Sequence, residues 1–295
     1  MSRSSLRKLM KRRSTIAFLM ALPLFTLIAL LVAYPAGFAI YLSMLDRSTT
    51  RFIGLGNFAF LLGREKFWMA LFQTSLFAIT TVVIKSVIGF VVAHLVHNIP
   101  TKDQRKWRGM LLVPWVIPPA MSVIAWRLLL DPSFSPLNWT LQHLGLDSVF
   151  WLGDTGWARF SVMLVGVWFG APFFMVMFLA ALKSVPEELH EAALIDGASW
   201  WQRVRFVTLP LMRNIIAITM LFSLIGSFAG FTLVAVLTNG GPLGATQVLG
   251  TLAFLVGILG GNLPLGAAVS LFMVPILALA ATVILRGIAK RGSEA

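Results

Sequence analysis

Glu191-Ala-Ala-Leu-Ile-Asp-Gly197, then nine residues, then Val207-Thr-Leu-Pro210, forms a polar stretch between two long apolar runs. Just upstream, Ser184 and Glu187 stand at capping-box spacing, in which a hydroxyl accepts from a first-turn amide while the carboxylate returns to the cap. Pro186 suits a first helical turn, where its missing N–H breaks no bond, and Glu187 and Glu188 complement the positive end of the helix dipole. The pattern predicts a short helix from about Val185 to near Gly197, which tolerates the left-handed conformation that ends many helices. Ser199 and Gln202 repeat the capping spacing, so a second short helix is expected to lead into Leu209-Pro210. Along the first helix Glu187, His190, Glu191, Leu194 and Ile195 recur at three- and four-residue steps, while Ala192 and Ala193 leave a thin flank that a partner can approach. An amphipathic helix lying on lipid is the alternative, but such helices are rich in Lys and Arg, and here Glu187, Glu188, Glu191 and Asp196 take the polar positions.

Around this stretch the chain is overwhelmingly apolar: 58% of its 295 residues are hydrophobic and 12% are charged, too many apolar groups for one water-soluble core. Six runs are long enough to cross a hydrocarbon layer as helices, at 16–45, 69–97, 110–130, 160–182, 214–237 and 265–288. The net charge of +13 is not a nucleic-acid footprint, because the basic residues fall in alternating loops rather than on one face. Seventeen of the 24 Lys and Arg lie in the N-terminal tail, in the loops carrying Lys102 to Arg108 and Lys183 to Arg213, and at the C-terminal end. The positive-inside rule makes that side cytoplasmic, with both termini on it. The tail and first run imitate a secretory leader, but the run is too long and Ala33-Tyr34-Pro35 is a poor cleavage site, so a retained first span is expected. The expected organisation is a basic tail at 1–15, one membrane domain at 16–288 containing the cytoplasmic segment 184–210, and a cytoplasmic tail at 289–295. With no Cys, neither a disulfide framework nor a thiolate metal site is available.

Prolines inside the runs, among them Pro23, Pro35, Pro114, Pro118, Pro119, Pro172 and Pro275, predict kinks that neighbouring helices can accommodate. Three outer loops, around Gly54 to Phe58, Asp131 to Asn138 and the charge-free 238–264, read as compact turn-rich caps. His190-Glu191 opens a zinc-protease pattern but Leu194 stands where the second histidine is required, and no phosphate loop for ATP exists anywhere in the chain. His94 and His97 share a helix face and read as interfacial packing rather than as a ligand pair. Lys85 lies deep in the second run, where an ionisable group is a functional candidate, with snorkelling or a structural role as the alternatives.

The Glu-Ala-Ala triplet, Gly197 at its spacing and the Val207-x-Leu-Pro210 ending resemble the EAA motif of ABC importer permeases, with Val207 where Ile is usual. The resemblance implies an all-α, six-helix type I importer bundle in the bacterial cytoplasmic membrane, in which Glu187, His190, Glu191, Ala192, Ala193, Leu194, Asp196 and Gly197 belong to a coupling helix. It also implies a second six-helix permease subunit as heterodimer partner, two ATP-binding cassette subunits that hold ATP and Mg, and an extracytoplasmic sugar-binding protein or lipoprotein. No cofactor and no catalytic residue is implied for this chain itself. Within importers the chain is similar to the sugar-type permeases of the maltose transporter family. The similarity rests on Gly54-x-Gly56-Asn57-Phe58, Trp126 with Asp131-Pro-Ser133 and Asn138, Leu182-Lys-Ser-Val-Pro186 and Thr238-Asn-Gly-Gly-Pro242. Ser135-Pro136 departs from the usual Gly-Leu there, and the extra N-terminal helices and large outer domain of the larger maltose-transporter subunit are not expected, so the resemblance is to the shorter six-helix relatives. Carried over by distance from Glu191, a sugar site falls on Trp168, Phe169, Gly170 and Phe173 before the segment and on Ser223, Ser227 and Gly230 after it. Two rivals are an importer permease for polyamine, amino acid or phosphate, which paired intramembrane charges would favour, and a non-transporting membrane scaffold.

Overall fold

A computed structural model describes residues 13–292; the basic residues Arg3, Arg7, Lys8, Lys11 and Arg12 and the last three residues lie outside them. Among the described residues the chain is helical nearly throughout, and its one extended pairing is an isolated antiparallel bridge between Leu45 and Phe52. Among the described residues five segments are long and apolar enough to cross a membrane: Met20–Ser43, Glu65–His97, Thr155–Lys183, Trp200–Phe228 and Leu263–Ile288.

The first of these joins α1 (Arg13–Ile28) and α2 (Tyr34–Ser43) through one π-helical turn, Ala29–Ala33. That turn is the answer to Pro35, whose ring would otherwise meet the carbonyl four residues back. The same device, a π turn at Val204–Thr208, precedes Pro210. Pro23 and Pro172 sit within continuous helices instead.

A short helix α3 (Gly56–Leu62) caps the outer side, with the buried Asn57 amide donating to the carbonyls of Ser43 and Leu45, each at 2.8 Å. Next comes α4 (Glu65–His97), which presents one buried face through Phe67, Ala70, Thr74, Phe77, Thr81, Lys85, Gly89, Ala93 and Val96, at helical steps. Its main partner is the later helix at Thr155–Lys183.

The third apolar run is not one helix. It folds as α5 (Thr101–Leu111), α6 (Val113–Val116) and α7 (Pro119–Leu129), broken where Ile117 is extended at φ −67°, ψ 134° ahead of Pro118. A residue before proline is disfavoured in the helical region, and two prolines in succession also remove two amide donors, so the expected kink becomes an interruption. After α8 (Pro136–His143), Asn138 organises the second outer loop: its Oδ1 accepts from the Val149 amide at 3.1 Å and Trp151 Nε1 at 2.9 Å. The Ser135 hydroxyl caps α8 by accepting from the Asn138 amide, so Ser135-Pro136 supplies a helix start where Gly-Leu is usual.

Then α9 (Thr155–Lys183) begins under an Asp154 cap and packs on α4 in the same direction, Gly166 meeting Thr81, Gly170 meeting Lys85 and Phe174 meeting Gly89. The two helix backbones approach closely at Gly89: a Cβ there would lie 3.0 Å from the Met175 amide nitrogen. In lipid there is little hydrophobic drive to pair helices, and close approach of small residues provides the attraction instead. The segment 184–210 holds α10 (Glu187–Ile195) and α11 (Trp200–Arg203), followed by α12 (Leu209–Phe228).

The fifth run is also interrupted. It stops at Ala229-Gly230, where Gly230 adopts φ −70°, ψ 70°, and resumes as α13 (Phe231–Leu237). The third outer loop corrects the expectation of a simple turn-rich cap. Thr238 to Thr246 does form a tight turn, with the buried Thr246 hydroxyl donating to the Gly241 carbonyl at 2.7 Å, but an apolar helical stretch follows. It consists of α14 (Leu249–Phe254) and a π turn at Leu255–Leu259, packed on α15 (Leu263–Leu271), which continues into α16 (Met273–Gly292). Gly257 and Gly266 allow that packing, since a Cβ on Gly266 would fall 2.6 Å from the Gly257 Cα. The stretch has no charges: Leu249 and Leu252 are buried against other helices, while Leu255, Ile258 and Leu259 stay exposed as an apolar face. Outer-side arginines are used on backbone carbonyls: Arg127 donates to Val236 at 3.2 Å and Arg159 to Ala245 at 3.1 Å.

Candidate functional site

Between an outer cluster around Phe77, Val123, Val162 and Val165 and an inner one around Val96, Phe174, Phe178 and Met212, the helices leave a cavity of ≈ 480 Å³. Its walls come from α4, α9, α12 and the two interruptions. Trp115 and Pro119 flank the first break, and Ala229, Gly230 and Phe231 form the second. A discontinuous membrane helix exposes backbone groups that need a polar or hydrated neighbour, so two breaks facing one cavity mark a place where a polar molecule can sit.

Of the residues selected by distance from the EAA stretch, Phe169, Gly170, Phe173, Ser223, Ser227 and Gly230 all line this cavity. Trp168 does not: one residue from Phe169 is a rotation of about 100° around a helix, which turns its ring onto Trp126, edge-on at 5.6 Å. Phe173 and Trp115 present neighbouring rings 6.1 Å apart and tilted by 31°. Sequence distance did not find Trp115, Thr81, Phe222 or Phe231; the signal for Trp115 was its place between Pro114 and Pro118. Thr74 and Thr81 spend their hydroxyl protons on the carbonyls of Ala70 and Phe77, at 2.7 and 2.6 Å. The Lys85 ammonium, in contrast, projects into the cavity and reaches Ser227 Oγ at 3.4 Å.

The segment 184–210 forms a helix, a bend and a helix. Gly197 is left-handed at φ +76°; the Ala198 amide donates to the Ala193 carbonyl at 2.9 Å and the Gly197 amide to Leu194 at 3.0 Å. This pair of bonds is a Schellman ending, which requires a residue without a Cβ penalty at Gly197. The box at Ser199 is closed in both directions: its hydroxyl accepts from the Gln202 amide and the Gln202 side chain from the Ser199 amide. The expected box at Ser184 is absent. Pro186 is extended at φ −61°, ψ 131°, so the helix begins at Glu187, and the Ser184 hydroxyl instead donates to the Ala181 carbonyl at 2.7 Å as α9 ends. No residue of α10 is buried; Ile195, 87% exposed, and Leu194 form an apolar tip beside Glu191, Ala192 and Asp196. Ala193 is half-buried on the inner flank, and Glu187 and His190 face a second cavity shared with His94, His97 and Arg203. Behind the elbow, Lys183 Nζ donates to Gln104 Oε1 at 3.0 Å, and Gln104 Nε2 donates to the carbonyls of His97 and Ile99, joining the inner ends of α4, α5 and α9.

A multi-helix membrane protein with a central polar-lined cavity and an exposed helical elbow is the class that this fold and these sites define. Residues 87–291 match the family described as binding-protein-dependent transport system inner membrane component, and the chain belongs to that family. It is 34% identical over 269 residues to the trehalose/maltose transport system permease protein MalF of Thermococcus litoralis, covering 90% of each chain. It is 29% identical over 239 residues to the sulfoquinovosyl glycerol transport system permease protein SmoG of Agrobacterium fabrum, covering 79% of this chain and 77% of that one. The fold superposes with a TM-score of 0.81 on a chain from a bacterial ABC transporter involved in import of the acidic polysaccharide alginate, at 24% identity, covering 97% of this chain and 99% of that one. The chain is thus a membrane-embedded permease of the binding-protein-dependent ABC importers, with sugar-type relatives.

Proposed function

We propose that this permease carries a sugar or oligosaccharide into the cytoplasm by alternating access, as a heterodimer with a second six-helix permease above two ATPase subunits that bind ATP and Mg. A solute-binding protein delivers the cargo on the outer side of the cytoplasmic membrane, and both termini face the cytoplasm. The observation that carries this reading is the cavity set between two helix interruptions, where aromatic faces stand beside hydroxyl and ammonium donors. Sugars bind in that way, by stacking their C–H faces while a few polar groups fix orientation. The exposed apolar elbow supports the coupling role of α10. Met20–Ser43 has no buried residue along its apolar window, which suits lipid or a second permease. The relatives named for trehalose, maltose and sulfoquinovosyl glycerol support a saccharide over a polyamine or an amino acid.

Phe173→Ala and Phe169→Ala are each expected to lower sugar uptake by about tenfold through lost stacking area. ATPase stimulation by the binding protein should persist, because the elbow is untouched. Ser223→Ala should act more mildly, one neutral hydrogen bond contributing about 1 kcal/mol. Labelled-sugar uptake and ATPase rate in the same proteoliposomes read both effects; unchanged uptake in all three variants moves the cargo site elsewhere.

A further inference from the structure

Lys85 occupies a position that packing alone does not account for. It lies on a helix of 33 residues, twelve residues before the C-terminal His97, so at a rise of about 1.5 Å per residue its Cα is about 18 Å from that end, farther than a lysine stem spans. Its ammonium is moreover turned into the cavity, against Ser227, rather than out toward lipid, so it is not placed as a snorkelling lysine. The residue is only 7% exposed, and its stem lies flat against α9, where Gly170 makes the room: a Cβ at that position would fall 2.7 Å from Lys85 Cδ and 2.9 Å from Cε. A glycine on one helix thus lets a lysine on another deliver its ammonium to the cavity.

At the end of that stem the partner is weak. Ser227 Oγ stands 3.4 Å away, well beyond the 2.7–2.9 Å of a good charge-assisted bond, and no Asp or Glu lines the cavity. A buried cation with one long contact to a neutral hydroxyl is under-satisfied, and the occupant of the cavity is what can complete it. An ammonium has three donors and no acceptor, so it seeks electron-rich acceptors such as hydroxyl or carboxylate oxygens and repels any cation brought beside it.

We propose that Lys85 is a specificity-determining residue of this cavity: it donates to an oxygen of the cargo, in place of its long contact with Ser227, and it excludes cargo that carries a positive charge. The ligand class is then a polyhydroxylated saccharide that is neutral or anionic, and amino sugars and polyamines are rejected here irrespective of what is delivered from outside. Gly170 is the positioning residue for this filter. The inference rests on the cavity being the cargo site.

The test uses the assembled permease–ATPase complex without its binding protein, and measures displacement of labelled trehalose by trehalose, by its 2-amino-2-deoxy analogue and by its uronic acid analogue. In the native complex the amino analogue is expected to bind at least about tenfold more weakly than trehalose, and the uronate at least as tightly as trehalose. Lys85→Gln, which keeps a donor and removes the charge, should bring the amino analogue within about threefold of trehalose. Lys85→Arg keeps the charge and should keep the discrimination, whereas Gly170→Ala, which displaces the stem, should relax it. Phe173→Ala should weaken all three competitors alike. If Lys85→Gln instead weakens all three alike, or fails to assemble while Lys85→Arg shows no preference among them, Lys85 is structural and the proposal is overturned. Equal binding of trehalose and its amino analogue to the native complex overturns the filter and leaves the cargo cavity standing. No binding of any competitor, or no effect of Phe173→Ala, overturns the cargo reading and the filter together.

Discussion

Gly197→Asp and Glu191→Lys are expected to leave the protein inserted and assembled while binding-protein-stimulated ATPase falls by at least about tenfold, the scale of a typical coupling free energy. Both residues are exposed, on an elbow whose own helix buries nothing, so neither substitution touches a packed interior. Glu191→Lys reverses a charge beside the apolar tip of Leu194 and Ile195, where a partner has to close in. Gly197→Asp adds a charge at the bend and a side chain at φ +76°, a conformation that costs a non-glycine residue about 1–2 kcal/mol. Gly197→Asn separates the two contributions. Asn tolerates the left-handed region comparably and carries no charge, so it should keep most of the stimulation. Reconstituted ATPase rates with and without binding protein measure this, with the yield of co-purified ATPase subunit as the assembly control. Normal stimulation in both charged variants would remove α10 from the coupling path.

The largest effect on folding is expected at Gly89. The new Cβ of even Gly89→Ala must open the α4–α9 contact, because it meets the Met175 amide and the Phe174 carbonyl carbon at 3.0 Å, and backbone cannot swing aside as a flexible side chain does. Overpacking of that kind costs about 1–3 kcal/mol, and Gly89→Val adds two branches to it. The valine variant should give little monodisperse protein in detergent, and the alanine variant a lower unfolding temperature by tryptophan fluorescence. Gly109→Ala is the comparison, since nothing lies within 4 Å of a Cβ there, and it should be neutral to slightly stabilising. Equal unfolding temperatures for Gly89→Val and the native chain would mean that α4 and α9 do not depend on this contact.

What the sequence determined by itself is what depends on composition and on near neighbours. Apolar runs of spanning length define a membrane protein without any tertiary information, because the hydrocarbon thickness is an external ruler. The elbow was readable almost residue by residue: Gly197 ends one helix and Ser199 with Gln202 starts the next, through bonds that join residues no more than five apart. Where local rules competed, the stiffer one prevailed. The box expected at Ser184 gave way to a start at Glu187, because Pro186 disfavours the helical region for Val185, which such a box would need as its first helical residue.

Only the tertiary structure decided where the apolar runs stop being helices, and what the interruptions face. Pro118-Pro119 and Gly230 announce irregularity, but a break survives in a membrane only if neighbouring helices and a polar cavity take up the freed backbone groups. The charge-free outer stretch at 249–259 looked like loop because Gly and Pro flank it; it is helix because α15 packs against it through Gly257 and Gly266. The cavity was reached only in part from sequence distance, which found its α9 and α12 walls and included Trp168, whose ring turns onto Trp126. Lys85 was visible as an intramembrane charge, yet its meaning depends on Gly170, 85 positions along the chain, and on Ser227, 142 positions away. Periodicity and capping encode contacts within a few residues; how near two distant backbones may come is set by packing in three dimensions, and that nearness places the ammonium in the cavity.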